Sequence, residues 1–388
     1  MPVINRIADF SEDMKTWRRW MHAHPELGLE CHQTAAYVVA RLREFGVDEV
    51  HEKIGVSGVV AIINGQGVGP TIGLRADMDA LPMQEMTGLD HASQTEGLMH
   101  ACGHDGHTTM LLGAARYLAE TRNFAGRVAL IFQPAEENSG GAKHMCDEGM
   151  MDRFDIKEVY ALHNLPGEEL GAFITSPGPL MAAVDTLRVN VTGLGGHAAY
   201  PEECRDPIMA LVSMAQALQS IVSRNLPPME QLVISVTQVH GGTVDNVVPE
   251  TAWLEATIRS FTPEVRNMAE KRAGEIISGL AAAFDVEAEV IYERGYPATV
   301  NHSKQTEIAL EVARELSGED RVDGQGGVSM GAEDFSYMLE ERPGAYLFLG
   351  QGDGPYVHHP QYDFNDEAAP YGASFFAKLV ERLNSVGR

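Results

Sequence analysis

At 388 residues the chain exceeds the length at which a single hydrophobic core stops growing, so two domains are expected. Its 29 Lys and Arg against 55 Asp and Glu give a formal charge of −26, which disfavours nucleic acid and anionic membrane as partners. The four cysteines, Cys31, Cys102, Cys146 and Cys204, are too scattered for a disulfide framework. Charges run from Arg6 to Arg19 with no apolar stretch among them, so neither a signal peptide nor a membrane span is expected at the start, and the protein reads as cytoplasmic.

The segment "SEDMKTWRRWMHAHPELG" has helical periodicity to about residue 23, which resumes over "QTAAYVVARLREFG", where Gly46 closes the helix. Short apolar runs follow: "GVVAIING", "TIGLRAD", "RVALIFQP", "VYALHN" and "AYLFLG". They are bounded by Gly, Pro or Asn and have the texture of buried strands. Between them "HTTMLLGAARYLAET" and "GGAKHMCDEGM" read as helices, which predicts an α/β domain with a mostly parallel sheet covered by helices.

Near residue 183 the texture changes. "VDTLRVNVTGLGG" alternates like a half-buried strand, "DPIMALVSMAQALQSIVSRN" is a long amphipathic helix, and "LVISVTQVHGG" and "TAWLEATIRSF" are strands. A helix, "PEVRNMAEKRAGEIISGLAAAF", and a strand, "EAEVIYERG", complete an α+β, ferredoxin-like unit. The expected division is a discontinuous first domain, 1–183 and 297–388, with an insertion at 184–296.

Residues able to bind a metal cluster where strands end. "GLRADMDALP" presents Asp77 and Asp79, "MHACGHDGH" presents Cys102 and His104, "IFQPAEEN" delivers Glu136 and Glu137, "YALHN" ends at His163, and "YVHHPQYDFND" holds His358 and His359. Loops at the carboxyl ends of strands are where open α/β sheets build sites, so one shared site is expected. A lone strand-end His is ordinarily a hydrogen-bonded structural residue, and Asp in "RAD" can cap a turn. Glu136 and Glu137, however, leave a core strand side by side, and like charges held there repel unless a cation or a raised pKa relieves them. Cys102 alone reads as buried thiol, ligand or nucleophile; His104 two residues on favours the ligand. Cys102 and His104 are expected in extended backbone, with the helix starting near Asp105 and His107.

Taken in order, "RRWMHAHPELGLE", "GLRADMDALPMQE", "HACGHDGHTTMLLGAA", "QPAEENSGGAKHM", "LHNLP", "GLGGHAAYPE", "NVVPE", "TIRSF", "GAEDFSY" and "HHPQYDFND" resemble the M20 metallopeptidase family from end to end. The likeness is to its amidohydrolase branch of hippurate hydrolases, N-acyl-amino-acid amidohydrolases and plant indoleacetyl-amino-acid hydrolases. The resemblance implies a zinc-peptidase-like catalytic domain and an inserted lid or dimerisation domain. It further implies two divalent ions, zinc or manganese before cobalt or nickel, ligated by Cys102, His104, Glu137, His163 and His358, with Glu136 as general base. His358 is preferred to His359 because the family's ligand stands two residues before the proline, here Pro360. Asp77 stands where many related peptidases have a ligand histidine, and Asp79 becomes a supporting carboxylate; Asp105, where the helix begins, reads as helix cap or supporting carboxylate as readily as ligand. In a homodimer His197 would reach the partner's site to stabilise an oxyanion, while Asn246 and Arg259 hold the substrate.

The activity so implied is hydrolysis of an N-acyl or N-aroyl amino acid. A carboxypeptidase or dipeptidase of the same family is the near alternative. A cysteine hydrolase using Cys102 and His104 leaves Glu136, Glu137, His163 and His358 without a task, and a non-catalytic binder has no need of a free base at Glu136.

Overall fold

The five apolar runs form the middle of one sheet in the computed structural model, which describes residues 3–386. The strand order is Glu49–Ile54, Gly58–Asn64, Arg127–Gln133, Thr71–Asp77, Ile156–Leu165, Gly344–Gly350, Phe173–Ile174, Val322–Asp323. Thr71–Asp77 runs parallel to both its neighbours, and Ile156–Leu165 runs parallel to Gly344–Gly350. The sheet turns antiparallel toward its edges, where Gly58–Asn64 meets Arg127–Gln133 and Glu49–Ile54, and where Phe173–Ile174 meets Gly344–Gly350. Thr71–Asp77 and Gly344–Gly350 are buried at every residue, as strands covered on both faces must be.

This sheet belongs to a compact unit made of the described residues up to Leu180, Thr299–Val328, and those from Glu333 onward. Helix His104–Thr121 packs against Ser11–Ala23, His32–Phe45 and Ala369–Leu383 and rests on Thr71–Asp77. Helix His32–Phe45 ends as expected, with Gly46 in the left-handed region at φ +74°. Four parallel strands, Thr71–Asp77, Arg127–Gln133, Ile156–Leu165 and Gly344–Gly350, point their carboxyl ends the same way, with Asp77 level with Gln133 and Phe348 level with His163.

A second compact unit comprises Met181–Ala298 and Ser329–Ala332. Its antiparallel sheet has the order Leu232–Gly241, Thr251–Ser260, Ala183–Thr192, Glu287–Arg294. Burial alternates strictly along Thr251–Ser260 and Ala183–Thr192, so one face is core and helices Pro207–Ser220 and Pro263–Phe284 cover it. Both helices open with Pro at the first position behind a side-chain cap, Asp206 on Ile208 and Met209 and Thr262 on Val265. The first helix ends in a π turn, Ile221–Asn225. Among the described residues no helix is long and apolar enough to cross a membrane.

Candidate metal centre

Four of the expected ligands lie in segments whose backbone is bent by a residue at positive φ. Between Cys102 and His104, Gly103 sits at φ +93°, where a Cβ would come within 2.2 Å of Asn164 Oδ1 and 2.5 Å of the Tyr362 hydroxyl. Only glycine fits that turn. It starts the helix earlier than its sequence suggested: His104 is the first residue of His104–Thr121, so the expectation of extended backbone at His104 is corrected. After Gln133 ends its strand, Ala135 at φ +58° turns the chain so that Glu136 and Glu137 leave the strand direction. His358 is itself at φ +63°, and its N–H donates to the Ala101 carbonyl at 2.7 Å, tying this loop to the Cys102 loop. Left-handed non-glycine residues cost energy and persist where surroundings demand them. His163 comes from the strand Ile156–Leu165.

The donor atoms of these residues form overlapping groups, each within 4.8 Å: Cys102 with His104 and His163, Cys102 with Glu137 and His358, and His104 with Glu136 and Glu137. Cys102 Sγ lies 3.4 Å from His163 Nε2. His163 Nδ1 lies 2.7 Å from the Asn164 carbonyl and donates to it, which leaves the Nε2 lone pair facing the thiol. His358 Nε2 is 3.3 Å and His104 Nε2 3.9 Å from Glu137 Oε1.

Asp79 binds this assembly from behind. One oxygen accepts the backbone N–H of Glu136 at 2.9 Å and lies 3.3 Å from His104 Nδ1; the other accepts the N–H of Glu137 at 3.1 Å. Asp105 is bonded to other partners. Its carboxylate meets His22 Nδ1 at 2.8 Å and Arg18 Nη1 at 3.8 Å, and accepts the N–H of Gly106 at 2.9 Å. Sequence reasoning left His107 without a task. Its Nδ1 is 2.6 Å from Asp77 Oδ1, and its Nε2 meets Asn164. The signal was present in the spacing, since residues three apart share a helix face.

The electrostatics call for a cation. Burial, then the charges of Glu333, Glu137, Asp334 and Asp79, pushes the Glu136 carboxyl well above its usual range. Burial and the neighbouring glutamates do the same to the Cys102 thiol, which in such surroundings is protonated and a poor nucleophile. Burial alone would lower His104, but Asp77, Asp79 and Glu137 outweigh it and raise the ring to about 10, whereas burial carries His163 well below its usual value. Both ring nitrogens of His104 and Oε1 of Glu137 are buried without a well-aligned hydrogen bond. Protons thus stand in for positive charge amid thiol, imidazole and carboxylate donors, a set that fits zinc, manganese, cobalt or nickel and not a magnesium or calcium cage of oxygens.

Next to this centre lies a buried network around Arg75. The guanidinium donates to Asp77 at 2.6 Å, Glu333 at 2.9 Å, Asp334 at 3.0 Å and, through Nε, the Gln133 side chain at 2.8 Å.

In the second unit, His197 and Asn246 are neighbours. Gly196–His197 pairs with Val247–Val248, and the Ala198 N–H donates to the Asn246 carbonyl at 3.0 Å. His197 is exposed; its Nδ1 accepts the Ala199 N–H at 3.1 Å, so the proton sits on Nε2. Arg259 stands on the strand Thr251–Ser260, with Nη1 3.5 Å from the Met330 carbonyl.

The model of peptidase family M20/M25/M40 matches residues 73–382. The chain is 41% identical over 380 residues to a hippurate hydrolase of Campylobacter jejuni, covering 98% of this chain and 99% of that protein. It is 40% identical over 369 residues to an N-acetyl-L-cysteine deacetylase of Bacillus subtilis, covering 94% and 87%. A crystal structure from Bacillus subtilis, described as a dinuclear metal binding peptidase from the M20 family, superimposes with a TM-score of 0.85 at 32% identity, covering 96% of this chain and 98% of that one. The chain belongs to peptidase family M20/M25/M40, in its amidohydrolase branch.

Proposed function

We propose that this enzyme hydrolyses the amide of an N-acyl or N-aroyl amino acid, releasing a carboxylic acid and a free amino acid. The observation that carries the reading is the sharing of Cys102 between two groups, one with His104 and His163 and one with Glu137 and His358. Cys102, His104, Glu137, His163 and His358 would hold two divalent ions there, zinc or manganese before cobalt or nickel. When bound, such ions polarise a carbonyl and make water more acidic.

Glu136 is the general base in this reading. It takes a proton from the attacking water and passes it to the leaving nitrogen, which an amide needs because its amine leaves badly. Its support is geometric and electrostatic: the backbone is fixed by Asp79, and burial among carboxylates makes the group basic. The partner subunit's His197 donates from Nε2 to the oxygen that becomes negative, and Asn246 and Arg259 take the substrate's carboxylate. The exposed, proton-bearing Nε2 of His197 and its proximity to Asn246 favour this division of labour. Residues 1–183 and 297–388 would then act as the catalytic domain, and 184–296 as lid and dimerisation domain.

Hippurate and N-acetyl-L-cysteine, named in two relatives, are both N-acyl amino acids. The test is turnover of N-acetyl, N-benzoyl and indoleacetyl amino acids, and of dipeptides, by protein loaded with manganese or zinc. Turnover of the acylated amino acids, abolished by chelation and by Glu136→Gln with metal retained, is expected. Hydrolysis of dipeptides alone would move the enzyme to the peptidase reading, and full activity without metal would overturn both. Mixed Glu136→Gln and His197→Ala subunits should recover activity that neither has alone; no recovery after confirmed exchange would remove the cross-subunit role.

A further inference from the structure

The motif "GAEDFSY" has been given no task, although it delivers Glu333 and Asp334 into the interior. Both are buried, and their carboxylates lie within 4.8 Å of each other and of the Glu136 carboxylate. Arg75 supplies the cation for this group, so it is an ion-pair network and not a second metal site. Each member is held on several sides. Glu333 accepts from Arg75 at 2.9 Å, from the Tyr346 hydroxyl at 2.6 Å and from the Phe335 N–H at 2.9 Å. Asp334 accepts from Arg75 at 3.0 Å, from Gln133 Nε2 at 2.8 Å and from the Ala142 N–H at 2.9 Å.

Stability alone does not account for this arrangement. A buried ion pair is at best weakly stabilising compared with apolar residues of the same size, and here one guanidinium serves three carboxylates, Asp77 included, with Glu136 beside them. What the network does provide is a rigid wall. Arg75 spans from Asp77, whose Oδ2 is 3.7 Å from His104 Nε2, to Glu333 beside Glu136. The two ends of one guanidinium thus set the separation between the metal loop and the base.

We propose that Glu333, locked by Arg75 and Tyr346, is a positioning residue for Glu136, holding the base's carboxyl group in the orientation needed for proton transfer. The proposal rests on the reading of Glu136 as general base. A misplacement of about 1 Å costs on the order of a hundredfold in rate. Glu333→Ala is therefore expected to lower kcat about a hundredfold, with KM and bound metal within about twofold of wild type. Glu333→Gln, which keeps the shape and the Oε1 that accepts from Arg75 while its Nε2 donates to the Tyr346 oxygen in place of accepting from it, should recover most of that loss. Because Glu333 acts through Glu136, the same Glu333→Ala change should cost less than about threefold in a Glu136→Asp background.

An unchanged kcat in Glu333→Ala overturns the proposal. So does a loss that tracks metal content, or one as large in the Glu136→Asp background as in wild type. Should Glu333→Ala fail to fold, Tyr346→Phe removes only the hydroxyl on Glu333; a several-fold, non-additive loss in kcat supports the proposal and an unchanged kcat sinks it. Glu136→Gln separates the two levels: if it keeps full kcat, the reading of Glu136 itself is wrong, whereas its inactivity beside fully active Glu333 variants removes only the positioning role.

Discussion

The Asp79 carboxylate and the backbone of Glu136 are joined by a 2.9 Å hydrogen bond, with the Glu137 N–H on the other oxygen at 3.1 Å. A loop bent at Ala135 cannot offer these amides to a regular strand partner, and Asp79 takes them instead, with His104 3.3 Å away. Asp79→Ala removes the acceptor of both amides and the carboxylate beside the His104 ring. Loss of such a supporting carboxylate lowers metal affinity or activity about 10–100-fold, which competition with a chromophoric chelator would measure. Wild-type affinity in the variant would mean that Asp79 only shapes the turn.

Cys102 belongs to one donor group with His104 and His163 and to another with Glu137 and His358, whereas His358 belongs to one group only. Elemental analysis after dialysis should find both metal ions lost from Cys102→Ala but only one lost from His358→Ala. Equal stoichiometry in the two variants would argue against a role for Cys102 in both donor groups.

Gly103 offers a test of loop geometry without touching a donor atom. Gly103→Ala places a methyl group 2.2 Å from Asn164 Oδ1 and forces φ +93° on a residue that disfavours it. Backbone strain alone costs about 1–3 kcal/mol. A lower thermal midpoint and weaker metal binding are expected together, because the residues on either side are Cys102 and His104. Retention of both would show that the turn relaxes freely.

Stability should depend on pH through His22. Burial works against its charge, but hydrogen bonds to Asp105 and Glu85 outweigh this and raise it from 6.5 to about 9. A folded value above the unfolded one means that the stabilisation is fully present below pH 6.5 and is lost as pH rises through about 9. The difference in thermal midpoint between wild type and His22→Gln should accordingly be large at pH 6 and shrink by pH 10. A difference that stays constant over this range would show that the ring acts by packing alone.

Much of this was legible along the chain. The five apolar runs became the middle of the larger sheet, and Pro263–Phe284 was readable to the residue, because an apolar period of two or 3.6, with a proline and a cap at the start, is a local property. The edge strand Glu49–Ile54 was missed since only Ile54 of its six residues is buried, and Phe173–Ile174 and Val322–Asp323 are too short to show a period.

By itself the sequence determined the alternation of elements, the donors at the strand ends and the likeness to a family, for these depend on residue type and order. Tertiary structure alone decided that Cys102 is common to two donor groups, that His107 and Asn164 sit behind the centre, that Asp105 turns to His22, and that Glu333 stands beside Glu136. It also decided that Ser329–Ala332 returns to the second unit, four residues before the chain re-enters the first at Glu333. The physical reason is sequence separation. Glu136 and Glu333 carry no local pattern that records their meeting, and only the packing of the strand that precedes one and the loop that carries the other brings their carboxylates to a single guanidinium's neighbourhood.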